Sequence, residues 1–276
     1  MTGLGSTMPK LRVRGATKVY ETRSGDLLAL DRCSLDVMPG EIVSIVGPSG
    51  CGKTTLLWSM SGLHGLTGGE VLLDGKAITG PNPAIGMVFQ EANLLPWRNL
   101  DSNIHFPFEI KREKPDREWI ASLVSRVGLD GFGGRFPREL SGGMQQRAAL
   151  VRALSFKPSV LLMDEPFGAL DSFTREEMNH LVEEIWMDTR TTIVLITHSI
   201  EEAIFLSDRV VVLSPRPGRV ANIYEVPFPR PRSMEIMATK EVFDLQNAIK
   251  REIVGEQKSR YAALQALPDA IPAPTH

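Results

Sequence analysis

An α/β fold built on a mainly parallel sheet is predicted, and three observations carry it. Short apolar, β-branched runs, such as Ile42–Val46 and residues 160–163 and 192–197, are separated by turn signals and longer helical patterns. Four such runs end in a polar or phosphate-handling group: Ile42–Val46 enters GPSGCGKTT, residues 85–89 end at Gln90, residues 160–163 at Asp164-Glu165-Pro166, and residues 192–197 at His198. The first of these groups has the spacing G-x-x-x-x-G-K-[ST] between a strand and a helical run. In open parallel sheets ligands bind outside the carboxyl ends of the strands, so four converging ends describe one site.

Residues 91–157 switch to helical periodicity with Gly and Pro breaks. Trp119, Ile120, Leu123, Val124 and Val127 form one apolar stripe, read as part of a helical subdomain inserted into the α/β core. The core is expected over 10–90 and 158–226. Beyond Val226, PFPRPRS reads as a proline-stiffened connector. An amphipathic helix carrying Val242, Leu245, Ile249 and Ile253 follows, and the tail PDAIPAPTH is expected to be disordered, so 227–276 form a helix and tail too short for a regulatory domain.

Composition narrows the function classes. At 276 residues, with 42% hydrophobic and 23% charged residues, the chain is long and apolar enough for a self-sufficient core. No apolar run approaches the roughly 18–20 residues of a membrane span, and no apolar leader opens the chain. Two cysteines make neither a disulfide framework nor a four-thiolate metal site, which suits a reducing cytosol. A formal net charge of −2 lacks the basic character of a dedicated DNA binder.

In Gly47-Pro48-Ser49-Gly50-Cys51-Gly52-Lys53-Thr54, the glycines let successive N–H groups point inward as an anion nest, and the next helix adds its positive end. Lys53 is expected to reach the β- and γ-phosphates, and Thr54 to ligate Mg²⁺. Cys51 reads either as a small side chain that fits or as a thiol whose pKa is lowered by Lys53 and the helix start, hence sensitive to alkylation. Asp164 is assigned to the metal and Glu165 to the general base. Leu140-Ser141-Gly142-Gly143-Met144-Gln145-Gln146-Arg147 opens a helix with two costly glycines. Ser141 has Met144 where a capping box needs Glu or Gln, which leaves a small, flat helix start able to admit a phosphate.

That octet, with the phosphate loop and Asp164-Glu165, resembles the nucleotide-binding subunit of ATP-binding cassette (ABC) transporters over roughly residues 11–227. The resemblance implies a P-loop (RecA-like) core with an antiparallel β subdomain and an inserted α-helical subdomain. It also implies an ATPase using ATP and Mg²⁺. ATP would lie between loop 47–55 of one chain, Thr55 included, and Ser141, Gly142, Gly143 and Gln145 of the other in a head-to-tail dimer. Tyr20 stands where the family stacks an aromatic on adenine. Gln90 would contact Mg²⁺ and the attacking water, Asp171 would sit in the dimer-interface loop, and His198 would contact the γ-phosphate.

Residues 93–98, Asn-Leu-Leu-Pro-Trp-Arg, read as core packing or as a surface where a membrane subunit docks, with Leu95 and Trp97 as contacts. Residues 81–86, 94–98, 165–171 and 228–232 are most similar to the nitrate/sulfonate/taurine import group. That implies an importer of small anions, sulfonates or related solutes. Its partners would be a second copy of this subunit, two permease subunits and an extracytoplasmic solute-binding protein, with no nucleic acid, and its place the cytoplasmic face of the membrane. The competing reading is a soluble cassette ATPase acting on DNA or ribosomes. Such proteins usually carry two cassettes or a long coiled coil, which 276 residues do not accommodate. A P-loop GTPase or small-molecule kinase lacks its guanine-reading Asn-Lys-x-Asp and leaves the octet unexplained. A non-hydrolysing regulatory module does not need Glu165 and His198.

Overall fold

The structure, a computed structural model, describes residues 8–23 and 25–265. The PDAIPAPTH tail lies outside them. Strands β3 (Ile42–Val46), β7 (Val160–Asp164) and β8 (Thr192–Ile196) are buried along their whole length, as strands covered on both faces must be. They sit inside a six-stranded sheet ordered β10-β9-β3-β8-β7-β6, completed by β6 (Ile85–Val88), β9 (Arg209–Leu213) and β10 (Val220–Glu225). All neighbours pair parallel except the edge strand β10. Alternate residues serve opposite cores. Ile42, Leu161, Met163, Ile193 and Leu195 face the helices, whereas Val43, Ile45, Leu162, Val194 and Ile196 face a second sheet.

That second sheet is antiparallel, ordered β2-β1-β4-β5, from β1 (Leu11–Thr22), β2 (Gly25–Val37), β4 (Gly68–Leu73) and β5 (Lys76–Ala77). Helix α1 (Lys53–Ser61) packs between the two sheets through Leu56, Leu57 and Met60. Helices α2 (Leu100–Lys111), α3 (Arg117–Arg126) and α4 (Gly142–Leu154) meet through Leu100, Ile104, Leu123, Leu150 and Val151. Helices α5 (Ser172–Thr189) and α6 (Ile200–Leu206) follow β7 and β8. Beyond the short α7 (Met234–Met237) runs α8 (Lys240–Gln265), which seats Val242 and Ile249 on α6 and β9.

The segment read as a spacer, Phe228-Pro229-Arg230-Pro231-Arg232, keeps its prolines exposed and turns its two arginines inward, Arg232 completely. Arg232 is 1% exposed, and its guanidinium donates to the carbonyls of Ile204, Phe205 and Ser207 at 2.7–2.8 Å. Those are the carbonyls that the end of α6 leaves unsatisfied. Arg230 donates to Leu206 O and pairs with Glu183 of α5 and with Asp208. Burial, with Arg230 alongside, pushes the Arg232 guanidinium down to about 10, which leaves it charged at neutral pH. Period-based reading registers prolines and charge as a stiff surface link; the paired guanidinium forks invert that by supplying donors a helix end lacks. Arg232→Met is expected to cost about 3–5 kcal/mol in chemical denaturation, with Arg232→Lys recovering only part. An unchanged midpoint for Arg232→Met would remove this role.

Candidate functional site

The four predicted strand ends lie side by side. The order β3, β8, β7, β6 sets the phosphate loop beside His198, then Asp164 and Glu165, then Gln90. At about 4.8 Å per strand, Gln90 stands some three strand spacings from the phosphate loop.

The loop feeds α1 through Gly52, whose φ of 104° is accessible to glycine and strained for other residues. Helices α2 to α7 each start with a side-chain cap, from Asn99, Asp116, Ser141, Asp171, Ser199 and Ser233. Helix α1 has no side-chain cap and no acidic residue in its first turn, so its N–H groups and positive end stay available to an anion. Lys53 Nζ donates to Gly47 O and Pro48 O, both at 3.0 Å, inside the ring of the loop. A cleft of ≈ 490 Å³ opens over it, from Tyr20 and Leu27 past Ser49 and Lys53 to Glu165 and His198. Tyr20 is set by its hydroxyl, 3.1 Å from His64 Nδ1 and 3.4 Å from Thr55 Oγ1.

Thr54 Oγ1 donates to Asp164 Oδ1 at 3.2 Å. Burial pushes the Asp164 carboxyl above the usual carboxylate range; the Thr54 bond opposes this and the adjacent Glu165 charge adds to it. A small hard cation would relieve that burial. Among the described residues no three His, Cys, Asp or Glu side chains converge as a metal cluster. One carboxylate and one hydroxyl therefore suit an ion that draws its other oxygens from phosphates and water, as Mg²⁺ does. Glu165 has φ 44°, a left-handed conformation that costs a non-glycine residue about 1–3 kcal/mol. Its N–H is fixed on Ile196 O at 2.9 Å, and its Oε2 lies 3.4 Å from His198 Nδ1. The carboxylate and imidazole thus face one another across the cleft's rim.

Cys51 corrects the thiol reading. Its side chain is 1% exposed, and burial pushes its pKa up, overriding the downward pull of Lys53. It fills space in the loop.

Ser141, Gly142, Gly143 and Gln145 do not line the phosphate cleft. Gly142 and Gly143 border a separate cleft with Gln90, Gln145, Pro166 and Leu170. Ser141 Oγ caps α4 by accepting from Met144 N at 3.3 Å, and both Ser141 and Gly142 are exposed. Gln145 donates its side-chain amide locally, to Pro137 O and Leu140 O. The buried Gln146, which sequence reasoning passed over, ties α4 to the sheet edge by donating to Phe89 O, Gln90 O and Pro166 O. Asp171 caps α5 through the N–H groups of Phe173 and Thr174, while Arg175 holds Leu170 O at 2.7 Å. Leu95 is half-buried and Trp97 is 71% exposed.

An uncapped glycine-loop helix start, a lysine inside the loop and a buried acid on the neighbouring strand end define a P-loop nucleoside triphosphatase. The family model for ABC transporters matches residues 30–168. The taurine import ATP-binding protein of Roseobacter denitrificans is 46% identical over 224 residues, 80% of this chain and 84% of that protein. The aliphatic sulfonates import ATP-binding protein of Bacillus cereus is 40% identical over 230 residues, 83% of this chain and 91% of that protein. A dimeric bacterial ABC transporter cassette superposes with a TM-score of 0.72 at 31% identity, covering 79% of this chain and all of that one. The chain belongs to the ABC transporter ATP-binding family, whose members bind and hydrolyse ATP.

Proposed function

We propose that this chain is the energising subunit of an importer for taurine-like sulfonates or related small anions, working as a head-to-tail dimer beneath two permease subunits. An extracytoplasmic binding protein would deliver the solute. The carrying observation is the exposed, glycine-flattened start of α4, whose Ser141, Gly142 and Gly143 line none of their own chain's phosphate cleft. Two copies facing one another would complete each cleft with the other's Ser141, Gly142 and Gly143, and Asp171 would lie at the seam. The core of 10–90 and 158–226 would then hydrolyse ATP, while 91–157 senses the partner's nucleotide.

Within each cleft Lys53 and the loop N–H groups hold the β- and γ-phosphates, and Tyr20 stacks on adenine. Thr54, Asp164 and Gln90 would hold Mg²⁺, which neutralises phosphate charge. Glu165 accepts the proton of the water that attacks the γ-phosphorus, and His198 orients that water and contacts the γ-phosphate. Loss of the γ-phosphate removes the bridge between the two copies, so hydrolysis opens the dimer.

The link to a permease runs through Trp97. Its loop is rigid: the buried Asn103 accepts from Leu95 N and donates to the carbonyls of Leu95, Arg98 and Asn99. Arg152 of α4 grips Ala92 O and Asn93 O just upstream. A large indole displayed on a braced loop suits a protein partner. Trp97→Ala is expected to leave solution ATPase and melting temperature unchanged but to lower co-purification with co-expressed permease subunits severalfold. Unfolding of the isolated variant would restore the core-packing reading.

A further inference from the structure

Arg216 lies in the turn that joins β9 to β10, between Pro215 and Pro217, and its side chain lines the phosphate cleft. The turn is clamped on two sides. Gly218 donates to Ala29 O at 2.9 Å and accepts from Asp31 N at 3.0 Å, which stitches it to β2. It also presses on the phosphate loop so closely that a β-carbon on Gly218 would collide with the Cys51 carbonyl oxygen. Ser214 closes the turn, with Arg219 N donating to its Oγ at 3.1 Å. The neighbouring Arg219 is committed to Asp31, whereas no hydrogen bond or ion pair engages the Arg216 side chain among the described residues. It is exposed to solvent on a fixed support.

Lys53 and Arg216 are the only constitutive cations among the described residues lining this cleft, and Glu165 is its only carboxylate. A nucleoside triphosphate is multiply anionic, and one ammonium inside the loop leaves much of that charge unmatched. We propose that Arg216 is a second phosphate-binding cation of this cleft, its guanidinium closing over the triphosphate from the β9–β10 turn and raising affinity for phosphorylated nucleotides over the bare nucleoside. This rests on reading the cleft as the nucleotide site. An unpartnered guanidinium breaks no existing bond when it turns inward, and its planar fork suits two phosphate oxygens.

Equilibrium binding of ATP, ADP and adenosine to the purified full chain tests this in wild type, Arg216→Gln, Arg216→Lys and Lys53→Ala. Arg216→Gln is expected to weaken ATP roughly tenfold, leave adenosine unchanged and flatten the salt dependence of ATP affinity. Arg216→Lys should recover most of the loss, and melting temperatures should match wild type. Wild-type ATP affinity in Arg216→Gln, with Lys53→Ala abolishing it, would overturn the role of Arg216 and keep the site. An equal loss for adenosine would also overturn it, because the contact would then be with the base. Undiminished ATP binding in Lys53→Ala would overturn the nucleotide site itself.

Discussion

Glu165→Gln protein is expected to bind ATP like wild type and to hydrolyse it about 10²–10⁴-fold more slowly. The amide keeps the shape of the side chain but cannot accept a proton from water. None of the groups assigned to the nucleotide changes, because Lys53, Thr54 and the α1 N–H groups belong to the helix start after β3, whereas Glu165 follows β7. With binding intact and turnover blocked, ATP should hold two copies together. Light scattering would then report a dimer with ATP and a monomer without it, beside an active wild type. Near-normal turnover would refute Glu165 as base. A variant that binds ATP and stays monomeric would place dimer closure under the control of membrane subunits, and the same measurement on the assembled complex would then decide.

Ser141→Arg is expected to abolish hydrolysis while leaving ATP binding to each chain nearly intact. Ser141 is exposed and does not border its own phosphate cleft. Losing its cap on Met144 N costs about 1 kcal/mol locally, too little to unfold a helix buried through Leu150, Val151 and Leu154. A complementation assay makes the test sharp. In a mixed dimer of Ser141→Arg and Glu165→Gln chains, one cleft combines an intact Glu165 with the other copy's intact Ser141. Mixing two inactive proteins should therefore restore about half a site pair's activity, up to the fraction of mixed dimers formed. If Ser141 served its own chain, mixing would restore nothing.

The sheet and the site were legible where period and punctuation agree. Runs buried on both faces read as apolar strands, and the glycines and polar residues that end them mark their carboxyl ends. The paired antiparallel sheet was expected from resemblance alone; its strands β1 and β2 are long, bulged and half exposed, so their alternation is blurred. Side chains that act at a distance along the chain were illegible. Gln146, Arg216 and Arg232 gain their meaning from carbonyls or clefts that only the folded chain brings near. At Cys51 the reading of a small side chain that fits stands, and the reading of a lowered thiol pKa falls to burial. Lys53 does pull its pKa down, but a side chain sealed inside the loop loses more from desolvation.

The Arg232 clasp imposes an order on synthesis. The helix that begins two residues after His198 needs donors that sit 28 positions beyond Ile204, so its last turn stays incomplete while the ribosome still holds that stretch. The end of α6 thus receives its donors from sequence that holds none of the residues assigned to ATP. A fragment ending with β10 would carry every residue assigned to ATP yet leave the end of α6 as bare acceptors against an apolar core. Truncation that removes Arg232 is therefore expected to destabilise the fold, although that residue lies past every one assigned to ATP.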